Sequence, residues 1–189
     1  MRDYVRLGGI LFIITASVAL VLSIGNHATK ERQKALTDET ANKARLEVIS
    51  SAEVVLEDTA ETMEYSKEGS SVKSVTSYKK SDGSHIYAVF CTPKGYGGEI
   101  SMMVGVDDKL TVTDISITDS TKETPGLGSR VGDTAFLSQF AGKGKNIGIN
   151  KNQPEGNEIQ AVTGATISSK AVVKGTNDAI DAVEEVMGR

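Results

Sequence analysis

The chain has 189 residues, with 21 Lys and Arg against 25 Asp and Glu, and a formal net charge of −4. This length suits one folded domain with an anchor, and the negative charge, without a basic cluster interleaved with aromatic residues, argues against nucleic acid as a partner. A single cysteine, Cys91, excludes an intrachain disulfide and, with only two histidines, argues against iron–sulfur, zinc and other transition-metal sites.

The first predicted element is a transmembrane helix over residues 7–25, which form an apolar run without charge. Arg2 and Arg6 precede it, as they would in a signal peptide. We favour a retained anchor because the run exceeds the roughly 7 to 15 residues of a signal-peptide core and no Ala-x-Ala site follows it. Residues 1–6 are then the cytoplasmic N-terminus, although basic residues flank both ends of the span and charge alone leaves the orientation open.

Residues 26–70 are predicted to form a helical segment next to the membrane. The stretch from residue 29 to residue 60 is rich in charged residues and alanine, contains no Pro or Gly, and has loosely helical apolar spacing. Its charges indicate a solvated face, with docking of a partner as the alternative.

Residues 71–189 are predicted to form one α+β domain. Runs rich in Val, Ile, Thr and aromatic residues, separated by turn residues, predict an antiparallel meander with strands over 72–78, 85–91, 99–106 and 110–118. The turn at 107–110 lacks the glycine expected in such a hairpin.

The last predicted element is a helix, because apolar residues recur at helical spacing from Val172 to Met187. Ser168 or Ser169 is a candidate cap for it. Three shorter elements precede it: a helix over 133–140, a Gly- and Lys-rich loop over 142–148, and a strand over 159–162.

Three segments carry the chemical interest of this domain. Gly95–Ile100 and Glu123–Gly128 are glycine-rich turns, and Thr163–Thr166 places a hydroxyl where the last helix begins. The unpaired N–H groups and the dipole of a helix N-terminus attract phosphate, so Thr166 is a candidate to carry a phosphate group. Taken alone, Thr163–Thr166 is more typical of a plain helix cap than of a phosphate carrier. The Gly95 segment is equally typical of an ordinary hairpin turn.

In this order behind one membrane segment, the three segments resemble the membrane-anchored FMN-binding domain family. The resemblance is strongest to the G subunit of the Rnf ion-translocating electron-transport complex, a relative of the C subunit of the sodium-pumping NADH:quinone reductase. That family attaches FMN through its phosphate to the last threonine of a Ser/Thr-Gly-Ala-Thr motif, which falls on Thr166. The resemblance implies an α+β fold with an antiparallel sheet and flanking helices, held outside the cytoplasmic membrane.

The resemblance also implies a cofactor site with Thr166 as the phosphoryl threonine. Gly164 and Ala165 would allow close approach to the backbone, and Thr163 would cap the helix or bind the phosphate. No catalytic residue is implied, because the flavin performs the electron chemistry. The remaining implied contacts are Tyr96, Gly97 and Gly98 near the ring or ribityl chain, and Glu123, Thr124 and Leu127 in the second turn.

The function implied by the resemblance is that of an electron-carrying subunit in a membrane complex that couples electron transfer between ferredoxin and NAD to ion translocation. Its partners would be the other subunits and a flavin transferase that modifies Thr166. One alternative is a membrane-anchored flavin-binding regulator, or a carrier for another extracytoplasmic reductase. Another is a structural or ligand-binding ectodomain in which Thr163–Thr166 is only a helix cap.

Overall fold

The computed structural model describes residues 2–50, 60–80 and 82–188 and, within its first helix, the side chains of residues 6–23 and 39–49. The first helix, α1, extends from Arg2 to Ser50. The chain divides into two compact units, Met1–Thr40 and Ala41–Arg189.

The first unit contains a segment, Arg6–Ser23, that is long and apolar enough to cross a bilayer. Its large apolar side chains are exposed, as the surface of a membrane-spanning helix is. The hydroxyls of Thr15 and Ser17 each donate to a backbone carbonyl one turn earlier, at 3.0 and 2.7 Å. Both polar side chains are therefore satisfied within the helix, as an apolar surrounding requires. The segment overlaps the predicted span at 7–25.

The second unit is built on a five-stranded antiparallel sheet in which neighbours in sequence are neighbours in space. The predicted meander is confirmed, because the four predicted runs are the strands β2 to β5. The strands are β1 (Glu61–Glu64), β2 (Val72–Lys79), β3 (His85–Cys91), β4 (Ser101–Asp107) and β5 (Val112–Asp119).

Strand β1 lies within the segment 26–70, for which the sequence predicted helix, and the prediction is wrong for these four residues. They have the sequence Glu-Thr-Met-Glu, which does not favour a strand by local propensity. Pairing with β2, from Glu61 opposite Ser77 to Glu64 opposite Ser74, decides the conformation. The helical part of the prediction is met as far as Ser50, and residues 51–59 lie outside the described residues.

Both faces of the sheet are covered. One face packs against helix α3 (Thr166–Val186) in the larger core, where Gly175 lets the helix approach Pro93 and Met102; a Cβ there would lie 2.9 Å from atoms of each. The other face packs against the end of α1, and the smaller core contains Ala44, Val48, Ile49, Tyr78, Ile86, Ala88 and Met103. Packing on the sheet therefore fixes the position in space of α3 and of its first residue, Thr166.

The turn between β4 and β5 contains no glycine. Leu110 takes the left-handed conformation there, with a φ of +62°. That conformation costs a residue with a side chain roughly 1–2 kcal/mol. Asp107 offsets the cost, since its carboxylate accepts hydrogen bonds from the backbone N–H groups of Lys109 at 3.0 Å and Thr111 at 2.8 Å.

The segment from β5 to α3 is built of short elements. The predicted helix at 133–140 is a single α-helical turn, preceded by a 3-10 helix. The predicted strand at 159–162 is present and pairs in parallel with a second strand, which the Gly- and Lys-rich composition of residues 142–148 did not indicate. These elements are the 3-10 helix Gly128–Gly132, α2 (Thr134–Leu137), β6 (Gly148–Asn150) and β7 (Glu158–Gln160).

Candidate flavin site

A cleft of about 490 Å³ opens at the N-terminus of α3, which is within the roughly 300–1,000 Å³ usual for small-molecule sites. The three segments singled out in the sequence meet there, and seven of the ten predicted site residues line it. The lining residues are Tyr96, Glu123, Thr124, Leu127, Gly128, Gly164, Ala165, Thr166, Ile167 and Ser168.

The Thr163–Thr166 segment is a reverse turn that leads directly into α3. The N–H of Ala165 donates to the carbonyl of Val162 at 3.0 Å, and Gly164 takes a φ of +79°. Glycine adopts this conformation without steric cost, so the turn depends on the residue at this position. Helix α3 begins at the next threonine, Thr166.

Thr166 is partly exposed at the edge of the cleft. Within the described part of the chain, its hydroxyl has no hydrogen-bond partner, and the backbone N–H groups of Thr166, Ile167 and Ser168 have no acceptor. Such N–H groups at a helix start form a ready anion site, strengthened by the helix dipole. A free hydroxyl and a phosphate-binding terminus therefore occur at the same point.

The prediction that Ser168 or Ser169 caps α3 is wrong, because no side chain caps this helix and the Ser168 hydroxyl donates to Glu123. Ser169 instead stabilises the turn that precedes the helix. Its hydroxyl accepts from the N–H of Val162 at 3.0 Å and donates to the carbonyl of Ala165 at 2.9 Å. Thr163, in contrast, is exposed and lies among the residues of a neighbouring shallow pocket that includes Arg130 and Gln139. Thr166 therefore lines the cleft, whereas Thr163 lines the neighbouring pocket.

Glu123 joins the three segments. Its side chain is buried, with 2% of the residue exposed. Oε1 accepts from the backbone N–H of Gly97 at 3.0 Å, and Oε2 accepts from the hydroxyl of Ser168 at 2.6 Å. A Cβ at Gly95 or at Gly128 would lie 2.2 or 2.4 Å from one of these oxygens, so both glycines make room for the carboxylate.

The predicted residues Gly97 and Gly98 pack against Lys122 and are not among the residues that line the cleft. Gly95 and Gly98 close a turn, with a hydrogen bond of 2.7 Å from the N–H of Gly95 to the carbonyl of Gly98. A Cβ at Gly97 would lie 1.9 Å from the backbone oxygen of Lys122, and one at Gly98 would lie 2.6 Å from its Cδ. Tyr96 lies between Gly95 and Gly97 in the sequence, so the close packing of these glycines fixes its position at the cleft.

The second turn also has the tight form expected from its Pro and Gly. The N–H of Leu127 donates to the carbonyl of Thr124 at 3.1 Å, and Gly126 between them has a φ of +71°. Leu127 is thereby held against the turn at Thr163–Thr166, because a Cβ at Gly164 would lie 2.9 Å from Leu127 Cδ1.

The cleft has an exposed apolar rim formed by Tyr96, Leu127 and Ile167, which are 70%, 43% and 55% exposed. Beyond the apolar segment 6–23, the other large apolar side chains that are exposed among the described residues are Leu46 and Met63. Grouped exposed apolar side chains usually mark a binding surface. Sequence reasoning missed Ile167, although an apolar residue off the buried face of a helix and next to a candidate threonine is a usable signal.

These features fit FMN. The apolar rim suits the planar ring, and the free hydroxyl and open helix N-terminus suit the phosphate. Within the described residues, no three His, Cys, Asp or Glu side chains are grouped so as to hold a metal ion.

Comparison with known proteins supports this assignment. A family model described as the FMN-binding domain matches residues 95–181. The chain is 34% identical, over 96% of its length and 92% of the relative, to the G subunit of the Na(+)-translocating ferredoxin:NAD(+) oxidoreductase complex of Acetobacterium woodii. It is 30% identical, over 94% and 93%, to the G subunit of the ion-translocating oxidoreductase complex of Methanosarcina acetivorans.

A shorter match reaches higher identity. The G subunit of the proton-translocating ferredoxin:NAD(+) oxidoreductase complex of Clostridium ljungdahlii is 42% identical over 54% of this chain, and the match spans 55% of that relative. The fold is that of the C subunit of the Na(+)-translocating NADH-quinone reductase of Parabacteroides distasonis, with a TM-score of 0.58, 20% identity, and coverage of 81% of this chain and 95% of that one. The matches to the Acetobacterium woodii and Methanosarcina acetivorans proteins cover more than nine tenths of each chain at 34% and 30% identity. Together with the match of residues 95–181 to the FMN-binding domain, they show that the chain belongs to the G-subunit family of ion-translocating oxidoreductase complexes.

Proposed function

We propose that the cleft holds FMN and that the flavin is attached through its phosphate to the hydroxyl of Thr166. The observation that carries this proposal is that a hydroxyl without a partner among the described residues stands at a helix N-terminus whose first N–H groups are also unpaired, at the edge of an apolar-rimmed cleft. An ordinary helix cap would use its hydroxyl to bind those N–H groups, whereas no side chain caps α3 within the described residues.

Different residues of the chain bind the phosphate and the ring of the flavin. The N–H groups at the start of α3 hold the phosphate, and Leu127 and Ile167 offer an apolar surface to the ring, with Tyr96 at its edge. Bound FMN supplies the capacity to accept and release electrons one or two at a time. The protein sets the position and the electrostatic surroundings of the ring, so no acid or base from the chain is needed.

Attachment requires a separate flavin transferase acting on FAD. The Thr166 oxygen attacks the phosphorus on the flavin side of the diphosphate, the bond to the bridging oxygen breaks, and AMP leaves while the hydroxyl proton is taken by the transferase. The exposed Gly164 and the partly exposed Thr166 let that enzyme approach the turn.

The protein then acts as an electron-carrying subunit of a membrane complex that couples electron transfer between ferredoxin and NAD to ion translocation. The near full-length relative from Acetobacterium woodii is a subunit of such a complex, which favours this role over that of a separate regulator. The apolar segment Arg6–Ser23 would be a retained anchor, with the flavin domain on the extracytoplasmic side.

The test is peptide mass analysis of the membrane-purified protein, made together with an active flavin transferase. Trypsin releases residues 152–170 as one peptide, which contains Thr163 and Thr166, and fragmentation assigns the modified side chain. We expect an added mass of FMN less water on Thr166. Thr166→Val should abolish the addition, Thr166→Ser should retain it, and Thr163→Val is the matched control that should keep it.

An unmodified peptide, with the transferase shown to be active on another substrate, would refute covalent attachment. A normal addition in Thr166→Val would refute the assigned residue. The complex is tested separately, by mild detergent purification: co-purification of other redox subunits supports the proposed role, and isolation of this chain alone refutes it.

A further inference from the structure

Glu123 stands out among the residues that line the cleft because it is a buried carboxylate. Its residue is 2% exposed, and each of its oxygens is already bound within the protein, Oε1 to the N–H of Gly97 and Oε2 to the hydroxyl of Ser168. Both oxygens are therefore engaged within the protein, while the residue also lines the cleft.

No cation among the described residues neutralises this carboxylate. Both of its hydrogen-bond donors are uncharged groups, and no Lys, Arg or His in that part of the chain forms an ion pair with it. The neighbouring Lys122 packs its aliphatic stem against Gly98. A buried charge compensated only by neutral donors acts strongly on whatever occupies the adjacent space, because little water screens it.

The same carboxylate holds the cleft in shape. Gly97 belongs to the turn that presents Tyr96, and Ser168 lies two residues after Thr166 in the first turn of α3. With Gly95 and Gly128 packed against its oxygens, Glu123 connects the turn that presents Tyr96 to the first turn of α3. A neutral isostere that keeps both hydrogen bonds can replace this mechanical role, but it cannot replace the charge.

We propose that Glu123 is a positioning residue whose buried charge lowers the reduction potential of the flavin in the cleft. Reduction adds electrons to the flavin, and a fixed negative charge in the cleft wall disfavours the added negative charge. This inference rests on the proposed binding of FMN. It assigns to the chain a specific control over how strongly reducing its cofactor is.

The test compares the wild-type holoprotein with Glu123→Gln by spectroelectrochemical titration. Glutamine can accept from Gly97 and donate to Ser168, so we expect full flavin attachment and a positive shift of the two-electron midpoint potential. A tenfold change in the equilibrium constant of reduction corresponds to about 30 mV, and we expect a shift of at least this size. The matched control, Glu155→Gln, removes an exposed carboxylate outside the cleft and should leave the potential unchanged.

A second variant keeps the charge and changes the structure. Ser168→Ala removes one hydrogen bond from Glu123, which changes how far its charge is compensated, so the midpoint potential should move. An unchanged potential in Glu123→Gln overturns the proposal. If that variant does not fold, as thermal unfolding would show, an unchanged potential in Ser168→Ala overturns it instead. Absence of flavin from the wild-type protein would refute FMN binding itself, which is a distinct result.

Discussion

Gly164 and Leu127 lie in contact across two turns that are far apart in sequence, and a Cβ on Gly164 would come within 2.9 Å of Leu127 Cδ1. The contact couples the turn before Thr166 to the turn that presents Leu127 at the cleft rim. Two features favour glycine at position 164. Its φ of +79° is strained for a residue with a side chain, and a side chain there would collide with Leu127.

Gly164→Ala should therefore lose flavin attachment as well as stability. The left-handed backbone costs about 1–2 kcal/mol with a side chain present. The new methyl group also displaces Leu127 from the rim. Gly142→Ala is the matched control, because Gly142 has a φ of +77° with nothing within 4 Å of the new Cβ. Urea unfolding should show similar losses in both variants, and flavin fluorescence on a denaturing gel should fall only in Gly164→Ala; an equal loss of flavin in both would contradict the role of Leu127.

Gly97→Ala should destabilise the domain much more than Gly98→Ala. The added methyl group at Gly97 meets the backbone oxygen of Lys122 at 1.9 Å, whereas at Gly98 it meets the Lys122 side chain, which can move. Overpacking against a fixed group costs about 3 kcal/mol or more, against about 1 kcal/mol for the movable one. Denaturant unfolding of the two variants checks the order, and equal losses would show that the 122–123 backbone yields.

Cys91 should be chemically inert in the folded protein. Burial raises the pKa of its thiol far above the ordinary value, so the reactive thiolate is absent at neutral pH. We expect no reaction with Ellman's reagent at pH 8 in native buffer and one equivalent of reaction after unfolding in guanidinium. Rapid labelling of the native protein would contradict the burial of this strand residue.

Stability should fall in acid partly through Glu185. Lys67 and Tyr65 both donate to its carboxylate, and these bonds hold the pKa of Glu185 below its usual value. The folded pKa is lower than the unfolded one, so this contribution is present above the unfolded value of roughly 4.3 and is lost as pH falls through the folded pKa. Burial and the bond to Glu185 raise the pKa of Tyr65 to about 12, so the tyrosine keeps its proton throughout.

The measurement is denaturant unfolding of wild type and Glu185→Gln between about pH 7 and about pH 3. Glu185→Gln should be the less stable protein at neutral pH, and the difference should shrink toward the acid end. Glu155→Gln, at an exposed carboxylate whose side chain has no hydrogen bond within the described residues, should show no such trend. A difference that stays constant with pH would exclude the assigned bonds.

The sheet was largely predictable because its four long strands have the expected composition and clear turns between them. Strand β1 was not, since Glu-Thr-Met-Glu forms a strand only by pairing with β2. Leu110 shows a similar limit: the turn at 107–110 forms without glycine because Asp107 supplies hydrogen bonds that local turn statistics do not include.

The site was predictable only in part. The three segments and Thr166 were found through their likeness to a family, and their meeting at one cleft agrees with it. The bond from Ser168 to Glu123 had no local signal, because the two residues are 45 positions apart and each has an ordinary explanation in its own segment. Gly97 and Gly98 had the right composition for close approach, but the group that approaches them is the chain itself, at Lys122.

The partners of Glu123 lie 26 residues before it and 45 residues after it, the second of them in the last helix. The complete meander of β1 to β5 ends before Glu123, so every strand of the sheet precedes, in sequence, the residue that joins the walls of the binding site. Packing of α3 against the sheet joins residues far apart in the sequence and therefore carries a cost in chain-closure entropy. A chain truncated before Thr166 would lack both the helix that covers the larger core and one wall of the cleft, so the capacity to receive the cofactor reports on completion of the whole fold.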